Sequence, residues 1–278
     1  MRSPAEAALG APARRERLDH LQATAGALAA IVVWVVLVGP ILTLLGELSP
    51  AAIGRALSAP GALTPLVVSL ESGALTLAVL VGLGTPLAFL LARGRLPFAR
   101  VLETGVLALL LLPPLVIGLL LVFMLGPATP AGHALARVHL SATNTFLALV
   151  VAQVYESAPY YVLGAQAAFR AADRRLEEQA ALLGDPPWRV LARVTLPLAA
   201  PGLAAALAFA WARAMGAFGA VVIVAYHPFG LPLQIWTTLQ ETGLASALPF
   251  ALVLLVVALP LPIAAYAYSA RARGRLHR

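Results

Sequence analysis

The chain has 278 residues, 61% of them hydrophobic and only 11% charged, whereas a soluble domain is about half apolar and about a quarter charged; with a mean hydropathy of +0.90 this is the composition of an integral membrane protein. The formal net charge is +7, all nineteen basic residues are Arg, and there is no Cys, which excludes disulfides, thiol nucleophiles and thiolate metal sites. The absence of Lys excludes a Lys Schiff base and also the phosphate-gripping lysine of a P-loop, so ATP hydrolysis of that type cannot reside here.

A membrane span needs about 20 apolar residues. Six stretches qualify, at residues 23–45, 65–92, 100–126, 143–169, 198–226 and 246–270. The expected fold class is therefore all-α, a polytopic protein with six transmembrane helices over 23–270 and short tails at 1–22 and 271–278. The first stretch follows Arg14, Arg15 and Arg17. It is too long for a signal-peptide core and lacks a cleavage site, so it reads as a helix. The Arg residues alternate in side. Arg2, Arg14, Arg15, Arg17, Arg93, Arg95, Arg100, Arg170, Arg174, Arg175, Arg189, Arg193, Arg271, Arg273, Arg275 and Arg278 fall on one side, Arg55 and Arg137 on the other, and Arg213 within a span. By the positive-inside rule both termini and the loop 170–197 are cytoplasmic, in a multi-pass protein of the inner (plasma) membrane. The same distribution explains the pI near 10.7 without nucleic acid as a partner.

Helix breakers punctuate the spans at Pro40, Pro86, Pro113, Pro114, Pro159, Pro201, Pro260 and Pro262. Proline in a membrane helix leaves a carbonyl that a neighbour or water must satisfy. Such breaks either line a cavity or kink the packing, and the Pro113-Pro114 pair is the candidate for a pathway-lining break. Glu71, Gln153, Glu156 and Arg213 also fall within spans. An ionisable group at mid-membrane costs roughly 2.5–3.5 kcal/mol on insertion scales and so faces a cavity or a partner. Arg213 either pairs with a carboxylate such as Glu156 or faces the pathway and attracts an anion. His133, His139 and His227 fall in outer loops and His20 and His277 near the termini, without metal-ligand spacing.

Between the fourth and fifth spans lies a charged, helix-forming segment with five Arg and four acidic residues over 170–193. Phe169, Ala172, Leu176, Ala180 and Leu183 recur at helical spacing and predict one amphipathic face. Gly184 fits a left-handed helix C-cap. Asp185 followed by Pro186 predicts the N-cap of a second short helix that carries Trp188 and ends near Pro197. A lipid-surface helix would be strongly basic, so the balanced charge favours a segment that docks into a partner's groove.

The spacing of Glu178, Gln179, Ala180, Gly184, Val194, Leu196 and Pro197 resembles the EAA motif of permease subunits of binding-protein-dependent ABC importers, with Gln179 in place of the first Ala and Val194 in place of Ile. The resemblance spans roughly residues 60–270. It implies that Glu177, Glu178, Gln179, Ala180, Leu183, Gly184, Asp185, Leu196 and Pro197 form a coupling loop that docks on a separate ABC ATPase subunit. It further implies two ATPase copies, a periplasmic or extracellular solute-binding protein, a second copy of this chain (or a related one) and surrounding lipid as partners. No catalytic residue, metal or cofactor belongs to this chain on that reading, ATP and Mg being used by the ATPase. The stretch Ala212–Ala220, with Tyr226-His227-Pro228 and Leu231–Trp236, is similar to the molybdate, tungstate and sulfate branch and most of all to its tungstate/molybdate members. Where that branch usually has Glu, this chain has Ala217, with Glu156 as an alternative carboxylate. The expected substrate is a tetrahedral oxyanion such as tungstate or molybdate, with sulfate, thiosulfate or another small anion as the alternative. Pathway candidates are Pro113, Pro114, Glu156, Arg213 and Phe218. An ion-coupled secondary transporter would need more membrane carboxylates than Glu71 and Glu156, or inverted repeats. A membrane-embedded enzyme would need His, Cys or Asp at depth, and the spans hold none.

Overall fold

The computed structural model describes residues 11–47 and 50–276, and the chain divides into two units, residues 1–53 and 54–278. In the first, α1 (Ala11–Glu47) is one helix of 37 residues that accommodates Pro40. Its 22–47 stretch is apolar enough to cross a membrane. Large apolar side chains from Leu28 to Leu45 are exposed, as suits a helix that is hydrophobic all round and solvated by lipid. The sequence placed a tail at 1–22, but helix already begins at Ala11. Residues 1–10 of that tail and 277–278 of the C-terminal one lie outside the described residues.

After α2 (Pro50–Ser58) come α3 (Thr64–Val79) and α4 (Thr85–Arg93), joined through a π-turn at Leu80–Gly84. Together they form one candidate span of 30 residues. Next are α5 (Ala99–Leu111) and α6 (Pro114–Leu125), and then α7 (Pro130–Arg137) and α8 (Phe146–Ala171). The loop helices α9 (Arg174–Leu182) and α10 (Pro187–Val190) follow. A second π-turn at Leu191–Thr195 leads into α11 (Leu196–Met215), with α12 (Gly219–Val224), α13 (Leu231–Thr242), α14 (Leu244–Ala258) and α15 (Pro260–Leu276) completing the chain.

The third expected span is not one helix. The axes of α5 and α6 differ by 119°. Proline disfavours helical backbone in the residue before it, and two in series hold both Leu112 (ψ 135) and Pro113 (ψ 135) extended. The two halves of the bent pair meet opposite ends of α8. Glu103 of α5 pairs with Arg170 at the end of α8, while Ile117 and Leu121 of α6 pack with Ala148, Leu149 and Ala152 near its start. Counted as one span, the pair brings the candidate crossings to six. The fifth span also departs from 198–226. It runs unbroken from Pro187 to Met215 and then breaks before α12. Pro197 lies inside this helix, just after the π-turn at Leu191–Thr195 through which the chain stays helical, so it does not end the preceding helix as its place in the sequence suggested. Three short helices between spans, α2, α7 and α13, have no apolar run long enough to predict them.

α8 is the centre of the second unit. Its C-terminal half contributes Tyr161, Val162, Ala165 and Phe169 to one apolar cluster with Leu91, Ala206 and Ala210, and its N-terminal half joins the other with Val221 and Val224. The seam between α8 and α11 is made of small residues. A methyl group on Gly202 would come within 2.5 Å of the Ala168 Cβ, and one on Gly164 within 2.8 Å of the Ala206 Cβ. In lipid there is no hydrophobic drive between helices, so close backbone approach and hydrogen bonds supply the association. The bonds are present. Thr76 donates to Gln153 Oε1 at 3.1 Å, Gln153 Nε2 to the Ala214 carbonyl at 3.3 Å, Trp211 Nε1 to the Val257 carbonyl at 3.1 Å and Ser269 to the Pro201 carbonyl at 2.9 Å. The Thr85 and Tyr161 hydroxyls lie 2.7 Å apart. Gly202→Val is expected to force the seam open and to cost about 1–3 kcal/mol, the usual range for overpacking, read as a lower unfolding midpoint in detergent. An unchanged midpoint would show that the seam tolerates a wider spacing.

Candidate functional site

Two constellations stand out, the loop between α8 and α11 and the break between α11 and α12. In the loop, Ala172 is extended (ψ 128) and Asp173 caps the next helix by accepting from the Arg175 N–H at 2.9 Å. The expected continuous face from Phe169 to Leu183 is therefore split. Phe169 is buried in the bundle, edge-on to Phe89 at 5.4 Å, while Leu182 and Leu183 are 87% and 89% exposed. α9 ends in a paired cap. The Gly184 N–H donates to the Ala181 carbonyl at 3.0 Å and the Asp185 N–H to the Ala180 carbonyl at 3.1 Å, with Gly184 at φ +91. This two-bond closure needs a left-handed residue, which glycine adopts without a Cβ penalty. Asp185 is not the next N-cap. Pro186 takes that place, because Pro187 after it holds it extended (ψ 156). The Asp185 carboxylate instead pairs with Arg189 at 3.1 Å.

The loop is bolted to the bundle by Glu177. Its carboxylate pairs with Arg93 at the end of α4 and accepts from the Thr195 hydroxyl at 2.9 Å. The Arg93 side chain is only 3% exposed, and its guanidinium carbon lies 5.5 Å from the Phe89 ring centre. Of the nine loop residues singled out in the sequence, Glu177 thus faces inward as an anchor. Glu178, Gln179, Leu183 and Gly184 are exposed, Ala180 and Asp185 half-buried, and Leu196 and Pro197 begin α11. A cavity of about 490 Å³ opens beside the anchor, lined by Phe89, Arg95, Glu178, Ala181, Trp188 and Leu191 among others. Arg93 and Thr195 carried no sequence signal for this role, since their partner is 84 residues away in one case and 18 in the other.

The second constellation joins four of the five pathway candidates. Pro113, Pro114, Arg213 and Phe218 line a cavity of about 400 Å³ with Leu115, Gly216 and Gly219. The fifth, Glu156, lies behind it with its side chain 0% exposed, and its Oε2 is 2.7 Å from Nη2 of Arg213, itself 23% exposed. The other carboxylate oxygen accepts from the Ala220 N–H at 2.9 Å. Of the two alternatives in the sequence, Arg213 makes the pairing with Glu156, and its side chain also lines the cavity. Ala217 packs in the apolar cluster with Ile117, Leu121 and Ala148. Phe218 meets Trp236 of α13 with ring centres 5.6 Å apart, a partner that sequence reasoning missed. Glu71 is exposed. No group of three or more His, Cys, Asp or Glu side chains suited to a metal occurs among the described residues.

The family profile described as "Binding-protein-dependent transport system inner membrane component" matches residues 84–274. A probable molybdenum ABC transporter permease protein of Haloferax volcanii is 39% identical over 216 residues, covering 78% of this chain and 79% of that protein. The molybdenum transport system permease protein ModB of Mycobacterium bovis is 36% identical over 205 residues, covering 72% and 77%. Among solved structures, a chain of a bacterial alginate ABC transporter in complex with an alginate pentasaccharide-bound periplasmic protein superposes with a TM-score of 0.68 at 18% identity, covering 95% of this chain and 98% of that one. At that identity the likeness is one of fold.

Removing Glu177 would leave the Arg93 guanidinium buried without its partner, a loss that typically costs about 3–5 kcal/mol. Glu177→Ala is therefore expected to raise amide exchange across residues 174–195. Arg93→Met with Glu177→Leu, which leaves no orphan charge, should restore most of the protection. Equal exchange in all three proteins would mean that the loop is held by other contacts.

Proposed function

The chain belongs to the inner-membrane components of binding-protein-dependent transport systems, and we propose that it is the translocation subunit of an ATP-driven importer of a tetrahedral oxyanion such as molybdate or tungstate. The substrate class comes from the relatives named as molybdenum permeases. The observation that carries the docking role is the pair of apolar side chains, Leu182 and Leu183, held almost fully exposed at the tip of a charged loop whose root is fixed by Arg93 and Glu177. Exposed apolar side chains on a rigid polar mount are the features of a helix that seats in a partner's groove. The partner on this reading is a separate ATPase subunit, present in two copies under two copies of this chain. The orientation that fits has the loop and both termini in the cytoplasm, with a solute-binding protein delivering substrate from the opposite side. ATP and Mg belong to the ATPase, in keeping with a chain that has no Lys.

The loop is mechanically continuous with the bundle. Pro187–Met215 is one helix of 29 residues, about 43 Å at 1.5 Å per residue, so a displacement at Trp188 is transmitted along a rod to the break at Gly216. Glu177 carries the same displacement to α4 through Arg93 and to that rod through Thr195. Closure of the ATPase dimer would in this way tilt α4 and α11 together around α8.

The test is reconstitution of the chain with its ATPase and solute-binding protein in liposomes. ATP-dependent uptake of molybdate or tungstate is expected, and uptake that follows an ion gradient without ATP would overturn the reading. Leu183→Asp puts a charge at an 89% exposed position that packs against nothing in this chain. It should leave the bundle's thermal stability unchanged while weakening ATPase association by about 2 kcal/mol or more, the scale of an interface hot spot. Gly184→Val places a β-branched residue at positive φ and should cut ATP-driven uptake by about tenfold or more, a factor that corresponds to about 1.4 kcal/mol. Normal association and uptake in both variants would remove the docking assignment.

A further inference from the structure

The ion pair at the break between α11 and α12 is asymmetric. Glu156 is fully buried, whereas the Arg213 side chain keeps 23% of its surface exposed, and Arg213 alone of the two lines the 400 Å³ cavity. Whatever enters that space meets the guanidinium and not the carboxylate. The rest of the lining is Pro113, Pro114, Leu115, Gly216, Phe218 and Gly219, so Arg213 is its one ionisable group. The two prolines have no N–H to offer, and the two glycines add no side chain.

Glu156 is also pinned. One oxygen accepts from the Ala220 N–H at 2.9 Å and the other lies 2.7 Å from a single nitrogen, Nη2, of Arg213. A guanidinium carries five N–H donors in a fixed fork, so this contact leaves donors over. An anion in the cavity would share the guanidinium with a carboxylate that cannot withdraw without releasing the start of α12.

Resting on the oxyanion reading above, we infer that Arg213 is a transit site for the tetrahedral oxyanion inside the membrane, and that Glu156 sets its strength by competing for the same guanidinium. A transport site has to be favourable enough to enter and weak enough to leave. A bare Arg in a low-dielectric cavity would hold a dianion too firmly, because charge-assisted hydrogen bonds are the strong ones. A half-neutralised Arg attracts the anion and lets it go. The same pair closes the break in the anion's absence, since Glu156 ties Arg213 on one side of Gly216–Phe218 to Ala220 on the other.

The experiment uses the reconstituted complex with molybdate, tungstate and sulfate as probes. Glu156→Gln keeps an acceptor for the Ala220 N–H and removes the competing charge. It is expected to bind tungstate about tenfold tighter in the solubilised complex without solute-binding protein, and to slow uptake. Glu156→Gln with Arg213→Gln leaves no unpaired charge, so the bundle and the ATPase association should survive while uptake falls by about tenfold or more. Arg213→Lys in the wild-type background keeps the charge without the fork and should fall between. If the double variant transports at the wild-type rate, or if Glu156→Gln binds and transports like wild type, the pair only fastens helices and the inference is overturned. Should the double variant fail to assemble, the binding measurement on Glu156→Gln decides alone. A wild-type complex that moves none of the three anions would instead overturn the oxyanion reading itself, whatever the variants do.

Discussion

The contact on which the rest of the second unit depends is the seam where α8 and α11 approach through Gly164, Ala168, Gly202 and Ala206. It is made of residues with almost nothing to bury, and that is why it works in lipid. Helices that gain nothing by leaving the solvent associate through dispersion and hydrogen bonds, both of which need short distances. The seam brings Glu156 on α8 opposite Arg213 on α11. It also fixes the two ends of the loop, since α9 leaves from the end of α8 and α10 runs straight into α11. A bulkier seam would part the ion pair and change the spread of the loop's root together.

Charge within such a bundle is costly, and the two inward ion pairs meet that cost differently. Arg93 and Glu177 sit where the spans give way to the charged loop, with Phe89 and Thr195 completing the guanidinium and carboxylate contacts. Glu156 and Arg213 sit against a cavity at a helix break. A buried pair is weak evidence for stability, because apolar residues of similar volume often do as well or better. Folding stability alone therefore gives no reason for Glu156 and Arg213 to be an ion pair.

The apolar spans were legible in the sequence because hydrophobic length is a local signal. The sequence placed a break at Pro113-Pro114 but not its magnitude, because each proline disfavours helical backbone in the residue before it without saying which way the chain then turns. It ran α8 into α9, since Phe169 to Leu183 keep helical period. The cap at Asp173 ends that period by a side-chain bond to the Arg175 N–H, which hydrophobic patterning does not register. It stopped the second loop helix at Pro197, where a π-turn lets the chain continue. The Glu156–Arg213 pair was open to a guess because each is one of few ionisable groups within a span, whereas the partners of Glu177 required the fold to bring Arg93 and Thr195 to it.

The two departures from helix, at Leu112–Pro113 and at Gly216–Phe218, are neighbours in space, for residues of both line one cavity. Irregular backbone at membrane depth persists only where protein covers it or where it borders a polar space. Breaks on two different spans that share one space, with an arginine turned into it, meet that condition by forming the space themselves. The rod from Pro187 ends at one of these breaks, and the helix it is packed against holds the carboxylate that closes it. On the docking reading, a tilt applied at the loop reaches the place where the helical ladder stops, after the Gly216 N–H bond to the Ala212 carbonyl. The side-chain contacts that bridge the two sides of the break are those of Glu156 to Arg213 and to the Ala220 N–H.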